Sequence, residues 1–156
     1  MKLSTKGRYA VMAVADLAKF VDDGPVALSD IASRQSISLS YLEQLFAKLR
    51  RADIVKSVRG PGGGYKLTHS AADTRISDVM RAVDEPLRTT RCSETKGCLA
   101  DGRRCVTHDL WDELGRHIYL FLSSITLQDV LDRKVLGSAS GANGMHEMLT
   151  EIEAVD

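Results

Sequence analysis

The sequence lacks several features that would assign it to familiar classes of protein. It has no run of eighteen apolar residues, which excludes a transmembrane helix. It has three cysteines, an odd number, and no recognisable cleavable leader, so a secreted protein held by disulfides is not expected. It shows no paired carboxylates and no nucleophile placed beside a base, which argues against an enzyme. We therefore expect a cytoplasmic protein that is not an enzyme.

The chain also lacks net charge, because 21 basic side chains balance 21 acidic ones. The charges are unevenly distributed, however. Residues 1–68 contain eleven Lys and Arg against six Asp and Glu, whereas residues 69–156 contain ten against fifteen. A basic N-terminal half beside an acidic C-terminal half is typical of a DNA-binding module followed by a separate element. The length of 156 residues allows one compact domain, or a small domain with an oligomerisation element.

The basic half has the pattern of a helix-turn-helix. Apolar residues at helical spacing predict a first helix over residues 4–20, which the turn-forming run at 22–25 ends. Ser29 is predicted to cap a short second helix over residues 30–34. After a brief connector, Ser40 and Glu43 form a predicted capping box at the head of a third helix. Two short helices in this order favour a helix-turn-helix.

A glycine-rich hairpin follows the third helix. Residues 54–58 and 65–68 predict two strands, and the sequence RGPGGG at residues 59–64 joins them. A nucleotide-binding loop would be followed by a helix, whereas a second strand follows here, so a nucleotide site is disfavoured. A helix-turn-helix with a basic hairpin predicts a winged helix that binds DNA.

Candidate DNA-contacting residues lie at the head of the third helix and in the hairpin loop. Gln44 can bond bidentately to adenine, and Glu43 can accept from a cytosine amine or be repelled by phosphate. Arg59 is positioned to enter a narrow A·T-rich minor groove. For Ser40, capping alone is the simpler alternative, although the two roles are compatible. The complete predicted set is Ser38, Ser40, Tyr41, Glu43, Gln44, Arg59 and Gly60.

The acidic half predicts further helices over residues 77–85, 107–123 and, with Thr126 and Asp129 as caps, from residue 127. The long helix at 107–123 has one broad apolar face. We expect this face to pair with the same helix of a second subunit, giving a homodimer suited to a palindromic site. The alternative is that the helix packs on its own winged domain. Residues 137–156, rich in small and acidic side chains, are expected to be disordered.

All three cysteines and one histidine lie in a single polar segment. Cys92, Cys98, Cys105 and His108 fall within seventeen residues that contain too few apolar side chains to form a core. Thiolates and imidazole are ligands for zinc and for iron–sulfur centres, so this segment is predicted to bind a metal. The residues alone leave zinc and a cluster both open, and three free thiols are the simpler alternative.

Five motifs together resemble the IscR family of bacterial iron–sulfur cluster regulators. They are LSTKGRYAV, ISLSYLEQLFAKLR, VRGPGGGY, AVDEPLRTTRC and THDLW, and the resemblance covers residues 1–136. It implies a homodimeric winged-helix transcription factor that regulates cluster-assembly genes according to cluster supply. It also implies a 2Fe–2S cluster, delivered by the cluster-assembly machinery and bound by Cys92, Cys98, Cys105 and His108.

Two details bear on that resemblance. Six residues separate Cys98 from Cys105, one more than the family pattern leads us to expect. A related nitric-oxide-sensing branch uses an acidic residue near the N-terminus, and Arg8 and His108 fit that branch poorly. The family binds two classes of DNA site, one of which requires the cluster. We hypothesise that cluster occupancy decides whether Glu43 is held by the helix cap or presented to DNA.

The expected fold is therefore mostly α-helical with a small β-hairpin wing. We expect a winged helix-turn-helix DNA-binding domain over residues 1–86 and a cluster-binding loop over 87–106. A long dimerisation helix and a following helix are expected over 107–136, and an acidic tail over 137–156. The alternative function is a zinc-stabilised or nitric-oxide-responsive winged-helix repressor.

Overall fold

A computed structural model describes residues 4–85, 97–99 and 101–135, without the side chain of Val21. The described part is mostly α-helical with one antiparallel β-hairpin, which confirms the predicted fold class. The elements are α1 (Thr5–Lys19), a 3-10 turn (Val21–Asp23), α2 (Leu28–Gln35), α3 (Leu39–Arg51), β1 (Val55–Val58), β2 (Gly64–Leu67), α4 (Ile76–Ala82), α5 (His108–Ser124) and α6 (Leu127–Leu131).

The core lies where α1, α2 and α3 meet β1, α4 and α6. Its largest fully buried side chains come from all of these elements, among them Leu17, Ile31, Phe46, Val79 and Leu127. Burying a side chain of this size stabilises the fold by about 1.5–3 kcal/mol. The winged domain and α6 therefore share one core.

An ion pair between a buried carboxylate and a partly exposed guanidinium joins the first two helices. The Asp16 carboxylate, on the buried side of α1, accepts hydrogen bonds from the Arg34 guanidinium at 2.7–3.1 Å and from the Gln35 amide at 2.9 Å. The Arg34 guanidinium also lies 4.2 Å from the centre of the Phe20 ring. Because both Asp16 oxygens are satisfied, this polar contact fixes α2 against α1 inside an otherwise apolar interface.

The connection between α2 and α3 is tighter than the sequence predicts. The prediction that Ser29 caps α2 is wrong, because the helix already begins at Leu28 and its N-cap residue is Ala27, which makes no side-chain cap. At the other end Ser36 adopts a left-handed conformation with φ 53° and ends α2. Ile37 is buried, which pins the turn to the core.

The C-terminal helices attach to the winged domain around residue 125. The Ile76 amide donates to the Ile125 carbonyl at 3.0 Å, and the Leu127 amide donates to the Thr74 carbonyl at 2.8 Å. Thr126 and Asp129 form the predicted capping box of α6. None of the helices in the described ranges is long and apolar enough to cross a membrane. Pro86 and the predicted tail at 137–156 lie outside the described residues.

Candidate DNA interface and metal-ligand site

The head of α3 begins two residues earlier than the predicted capping box requires. Ser38 is the N-cap residue, and its hydroxyl accepts a hydrogen bond from the Tyr41 amide at 3.2 Å. Ser40 is consequently the second helical residue and Glu43 the fifth. A capping box requires its carboxylate at the third helical position, so the predicted box between Ser40 and Glu43 is wrong. Glu43 has no capping role in this structure.

Three of the predicted DNA-contacting residues share one face of α3. Ser40, Glu43 and Gln44 are exposed, and their spacing of three and four residues places them side by side. The buried residues of α3 occupy the opposite face. Tyr41 differs from these three, because it is half-buried and packs edge-on against Tyr9 of α1, with ring centres 6.0 Å apart. Its ring therefore orients the head of α3 on the domain.

The hairpin loop holds Arg59 and Gly60 at an exposed turn. Gly60 has φ 110°, a conformation that side chains other than glycine rarely adopt, and its carbonyl accepts from the Gly63 amide at 2.9 Å. A Cβ atom on Gly63 would lie 2.5 Å from the Val58 carbonyl oxygen, so this position too requires glycine. The loop is thus a tight turn with Arg59 exposed at its start.

The hairpin is fixed to α3 through Tyr65. Tyr65 exchanges two backbone hydrogen bonds with Val26, at 2.9 and 2.8 Å, so a residue before α2 extends the hairpin. The Tyr65 ring packs edge-on against Phe46 of α3 with ring centres 4.9 Å apart. The two predicted parts of the DNA interface, α3 and the hairpin loop, therefore lie on one connected framework.

Two acidic residues that the sequence analysis missed, Asp84 and Glu85, follow α4 and contact α3 and α1. The carboxylate of Glu85, which is 7% exposed, accepts hydrogen bonds from the Ser4 amide at 3.0 Å, the Ser4 hydroxyl and the Gly7 amide at 3.2 Å. Glu85 thereby caps the N-terminus of α1, although it lies 81 residues after Ser4 and 78 residues after Gly7 in the chain. Burial raises the pKa of Glu85, but the hydrogen bonds from Ser4 and Gly7 outweigh that effect, so its pKa is lowered overall.

Asp84 makes the corresponding contact to α3. Its carboxylate accepts from Lys48 at 2.6 Å, and its backbone carbonyl accepts from Lys6 at 2.8 Å. The hydrogen bond and the charge of Lys48 lower the pKa of Asp84. With φ 55°, Asp84 also turns the chain out of α4, which explains why that helix is shorter than the predicted 77–85. The carboxylates of these two acids thus contact α1 and α3, that of Glu85 the former and that of Asp84 the latter.

Two of the four predicted metal ligands lie together at the start of α5. The Cys98 sulfur is 3.1 Å from Nδ1 of His108, the first residue of α5. The Cys105 carbonyl accepts from the His108 amide at 3.1 Å, and the Cys105 sulfur lies 3.6 Å from the Thr107 hydroxyl. Cys92 lies outside the described residues.

A tight turn brings Cys98 to His108. The Leu99 amide donates to the Arg103 carbonyl at 3.1 Å, and the Gly102 amide donates back to Leu99 at 3.0 Å. Gly97 approaches this turn so closely that a Cβ atom there would lie 2.1 Å from the Gly102 oxygen. Position 97 therefore requires glycine.

The donors present fit a thiolate- and imidazole-ligated metal group. A sulfur and a nitrogen bound to one tetrahedral metal ion lie about 3.6 Å apart, so a small adjustment of Cys98 and His108 would let both bind. The described residues by themselves contain no group of three or more His, Cys, Asp or Glu that could hold a metal. The structure therefore brings Cys98 and His108 together but does not group Cys105 with them, and the predicted ligand Cys92 lies outside the described residues.

Comparison with known proteins agrees with this fold. Residues 3–133 match the Rrf2 family, described as an iron-dependent transcriptional regulator. The chain is 55% identical over 133 residues to a putative HTH-type transcriptional regulator from Azotobacter vinelandii, covering 85% of this chain and 80% of that protein. It is 47% identical over 147 residues to the HTH-type transcriptional regulator IscR of Klebsiella pneumoniae, covering 94% and 90%.

A solved structure shows the same similarity. The structure of T. potens IscR superposes with a TM-score of 0.70 at 39% identity, covering 94% of this chain and 96% of that one. The match to the family spans α1 to α6 as well as the segment with the predicted metal ligands. The chain therefore belongs to the Rrf2 family of transcriptional regulators and is not an enzyme.

Proposed function

We propose that this protein is a DNA-binding regulator that senses iron–sulfur cluster supply and controls cluster-assembly genes. The observation that carries the proposal is the contact between Cys98 and His108 at the head of α5, in a chain with a winged helix. The similarity of this chain to regulators named IscR supports the same proposed function. In this proposal the protein works in the cytoplasm, where thiolates stay reduced, and receives its cluster from the assembly machinery.

The DNA is bound by α3 and the hairpin loop. The exposed face of α3 with Ser40, Glu43 and Gln44 enters the major groove, where Gln44 reads adenine. Ser38 remains the helix cap at the end that approaches the phosphates. Arg59 enters an adjacent minor groove, and Gly60 lets the backbone turn close to it.

The cluster site comprises Cys92, Cys98, Cys105 and His108. When bound there, a 2Fe–2S cluster supplies a removable redox group whose potential is raised where imidazole replaces a thiolate. His108 contributes its side chain from the first turn of α5, so the site is tied to that helix. Glu85 and Asp84 anchor the chain that enters the cysteine segment on α1 and α3. Asp84 thus connects the chain before the ligand segment to the DNA-binding helix α3, and Glu85 connects it to α1.

The active form is a homodimer that pairs through α5. No residue of α5 is buried, although it carries several large apolar side chains. Charged residues on another part of its surface pair with one another, as Arg116 does with Asp112 at 2.9 Å. The exposed apolar residues are Leu110, Trp111, Leu114, Tyr119, Leu120 and Phe121. A second copy of α5 would cover the face that contains Leu110, Leu114 and Phe121, and the resulting twofold symmetry suits a palindromic site.

Glu43 is the residue that selects between classes of DNA site in this proposal. It is exposed and is not a helix cap, so no intrahelical bond competes with its contact to DNA. A carboxylate is favourable opposite a cytosine amine and costly where it loses water without gaining a partner. It therefore discriminates against sites that lack the matching base.

The test begins with protein purified without oxygen. Visible absorption bands with iron and sulfide in equal amounts are expected, whereas a colourless zinc-containing protein would contradict the cluster. Duplexes selected from a random pool by the cluster-loaded and the cluster-free protein should fall into two classes. Cluster-free Glu43→Ala should then bind the cluster-dependent class in gel-shift titrations. If both forms select one class, the proposed control of site choice is wrong.

A further inference from the structure

Two lysines face each other directly across the hairpin. In the register of β1 and β2, Lys56 is paired with Lys66, between the pairs Val55–Leu67 and Ser57–Tyr65. Val55 and Leu67 are buried, so they mark the inner face of the hairpin. Because successive side chains alternate between faces, Lys56 and Lys66 both lie on the outer face.

This pair is unfavourable for the fold by itself. Side chains directly opposite each other in an antiparallel pair have Cβ atoms about 4.5–5.5 Å apart, and like charges at such positions are destabilising. Within the described ranges, no carboxylate lies within 4.0 Å of either ammonium group to form an ion pair. The next pair on the same face is Val58 with Gly64, which brings no negative charge. The described fold therefore leaves the repulsion uncompensated.

We propose that Lys56 and Lys66 together form a phosphate-binding site on the wing, with the DNA backbone as its ligand. The inference rests on the proposed DNA-binding function. Two opposed ammonium groups can approach one phosphate from both sides, and lysine acts as a strong point charge for phosphate. A bound phosphate would turn the repulsion into attraction.

The position of the pair supports DNA backbone as the partner. Lys56 lies in β1, three residues before Arg59 at the start of the loop, a distance of about 10 Å along the chain. A lysine side chain adds about 6 Å of reach to its Cα position. With Arg59 in a minor groove, both ammonium groups lie within reach of the phosphates that border that groove. The pair thus continues the proposed interface away from the loop.

The experiment measures DNA affinity as a function of salt. The variants are Lys56→Gln, Lys66→Gln and the double substitution, and the matched control is Lys134→Gln, an exposed lysine beyond α6. Fluorescence anisotropy uses a duplex selected from a random pool and a scrambled duplex of equal length. At 0.15 M salt, each single change should weaken binding about fivefold and the double change about thirtyfold. Each lost phosphate contact reduces the slope of log affinity against log salt concentration by about 0.9, which corresponds to about fivefold in affinity at this salt concentration.

Two further readouts distinguish phosphate binding from a structural role. Both duplexes should lose the same factor, because phosphate contacts carry no sequence information. The melting temperature of the double variant should be unchanged or higher, since the repulsion is removed. An unchanged salt slope, a loss confined to the selected duplex, or a lower melting temperature would overturn the inference while leaving DNA binding intact. If the unmodified protein binds neither duplex, the proposed function fails and the inference with it.

Discussion

At the scale of single residues, Glu85 shows how one carboxylate can secure a distant helix. Its side chain is nearly buried, and it is tolerated there because Ser4 and Gly7 donate to it at the positive end of α1. The glycine is essential to this contact, since a Cβ atom at Gly7 would lie 2.8 Å from Cγ of Glu85. The close approach of α1 to the end of α4 therefore depends on a matched pair of residues.

We predict that Glu85→Gln destabilises the protein by about 1–2 kcal/mol at pH 7, because hydrogen bonds to a charged group are replaced by weaker ones. The pKa of Glu85 is lowered in the folded state. Its contribution is therefore fully present above the ordinary glutamate pKa of about 4.3, and is lost as the pH falls through the folded-state pKa. Urea unfolding at pH 7 and at pH 4 and below should show the difference from the unmodified protein shrinking with acidity.

Glu113→Gln is the control for this prediction. Glu113 is exposed on α5, where it pairs with Arg116 and His117. Exposed ion pairs contribute about 0–1 kcal/mol, so this variant should change little at either pH. A difference for Glu85→Gln that does not depend on pH would show that charge is not the reason for its effect.

At the scale of elements, the residue at which α3 begins decides the roles of the serines at its head. Ser38 supplies the cap, whereas Ser40 lies inside the first turn with its side chain exposed. The packing of Tyr41 on Tyr9 then orients that turn against α1. Two serines separated by one residue thus have different roles.

We predict that Ser38→Ala lowers the free energy of unfolding by about 1 kcal/mol, the usual cost of a lost N-cap. Ser40→Ala should change stability by less than about 0.5 kcal/mol, as exposed positions usually do, but should weaken binding to the selected duplex. Urea unfolding and anisotropy titration on both variants separate the two effects. An equal loss of stability in the two variants would contradict the assignment of Ser38 as the cap.

At the scale of the whole molecule, α5 extends the winged domain while leaving apolar surface exposed. Its C-terminal end is fixed by the hydrogen bonds around Ile125 and Leu127, and these residues are themselves buried. Leu110, near the other end, is 61% exposed. The alternative that α5 packs entirely on its own domain does not account for that exposure.

We predict that Leu110→Glu converts the proposed dimer to a monomer without unfolding it, because the charge would be buried unpaired at the proposed subunit contact. Tyr119→Glu is the control, since Tyr119 lies nine residues along α5 and therefore on the opposite face. Analytical ultracentrifugation gives the oligomeric state, and circular dichroism gives the helix content. If Leu110→Glu remains dimeric, or if the unmodified protein is a monomer, the proposed dimer contact is wrong.

Local patterns in the sequence determined most of the secondary structure. The apolar spacing of α1, the glycine-rich turn of the hairpin and the capping box of Thr126 and Asp129 all depend on residues a few positions apart. Interactions between residues so close in the chain can be predicted from the sequence alone. Not every apolar residue of α1 is buried, however: Met12 is 38% exposed, because periodicity gives a face but not the edge of the core.

Tertiary structure decided the contacts between residues that are far apart in the chain. Three such contacts join segments whose proximity depends on how the helices pack. They are the contacts of Glu85 with Ser4, of Asp84 with Lys48 and of Tyr65 with Val26. The start of α3 at Leu39 was likewise decided by the turn that buries Ile37, although Ser40 and Glu43 have the spacing of a capping box. A cap forms only where the backbone leaves the helix, and packing of the preceding turn places that point at Ser38.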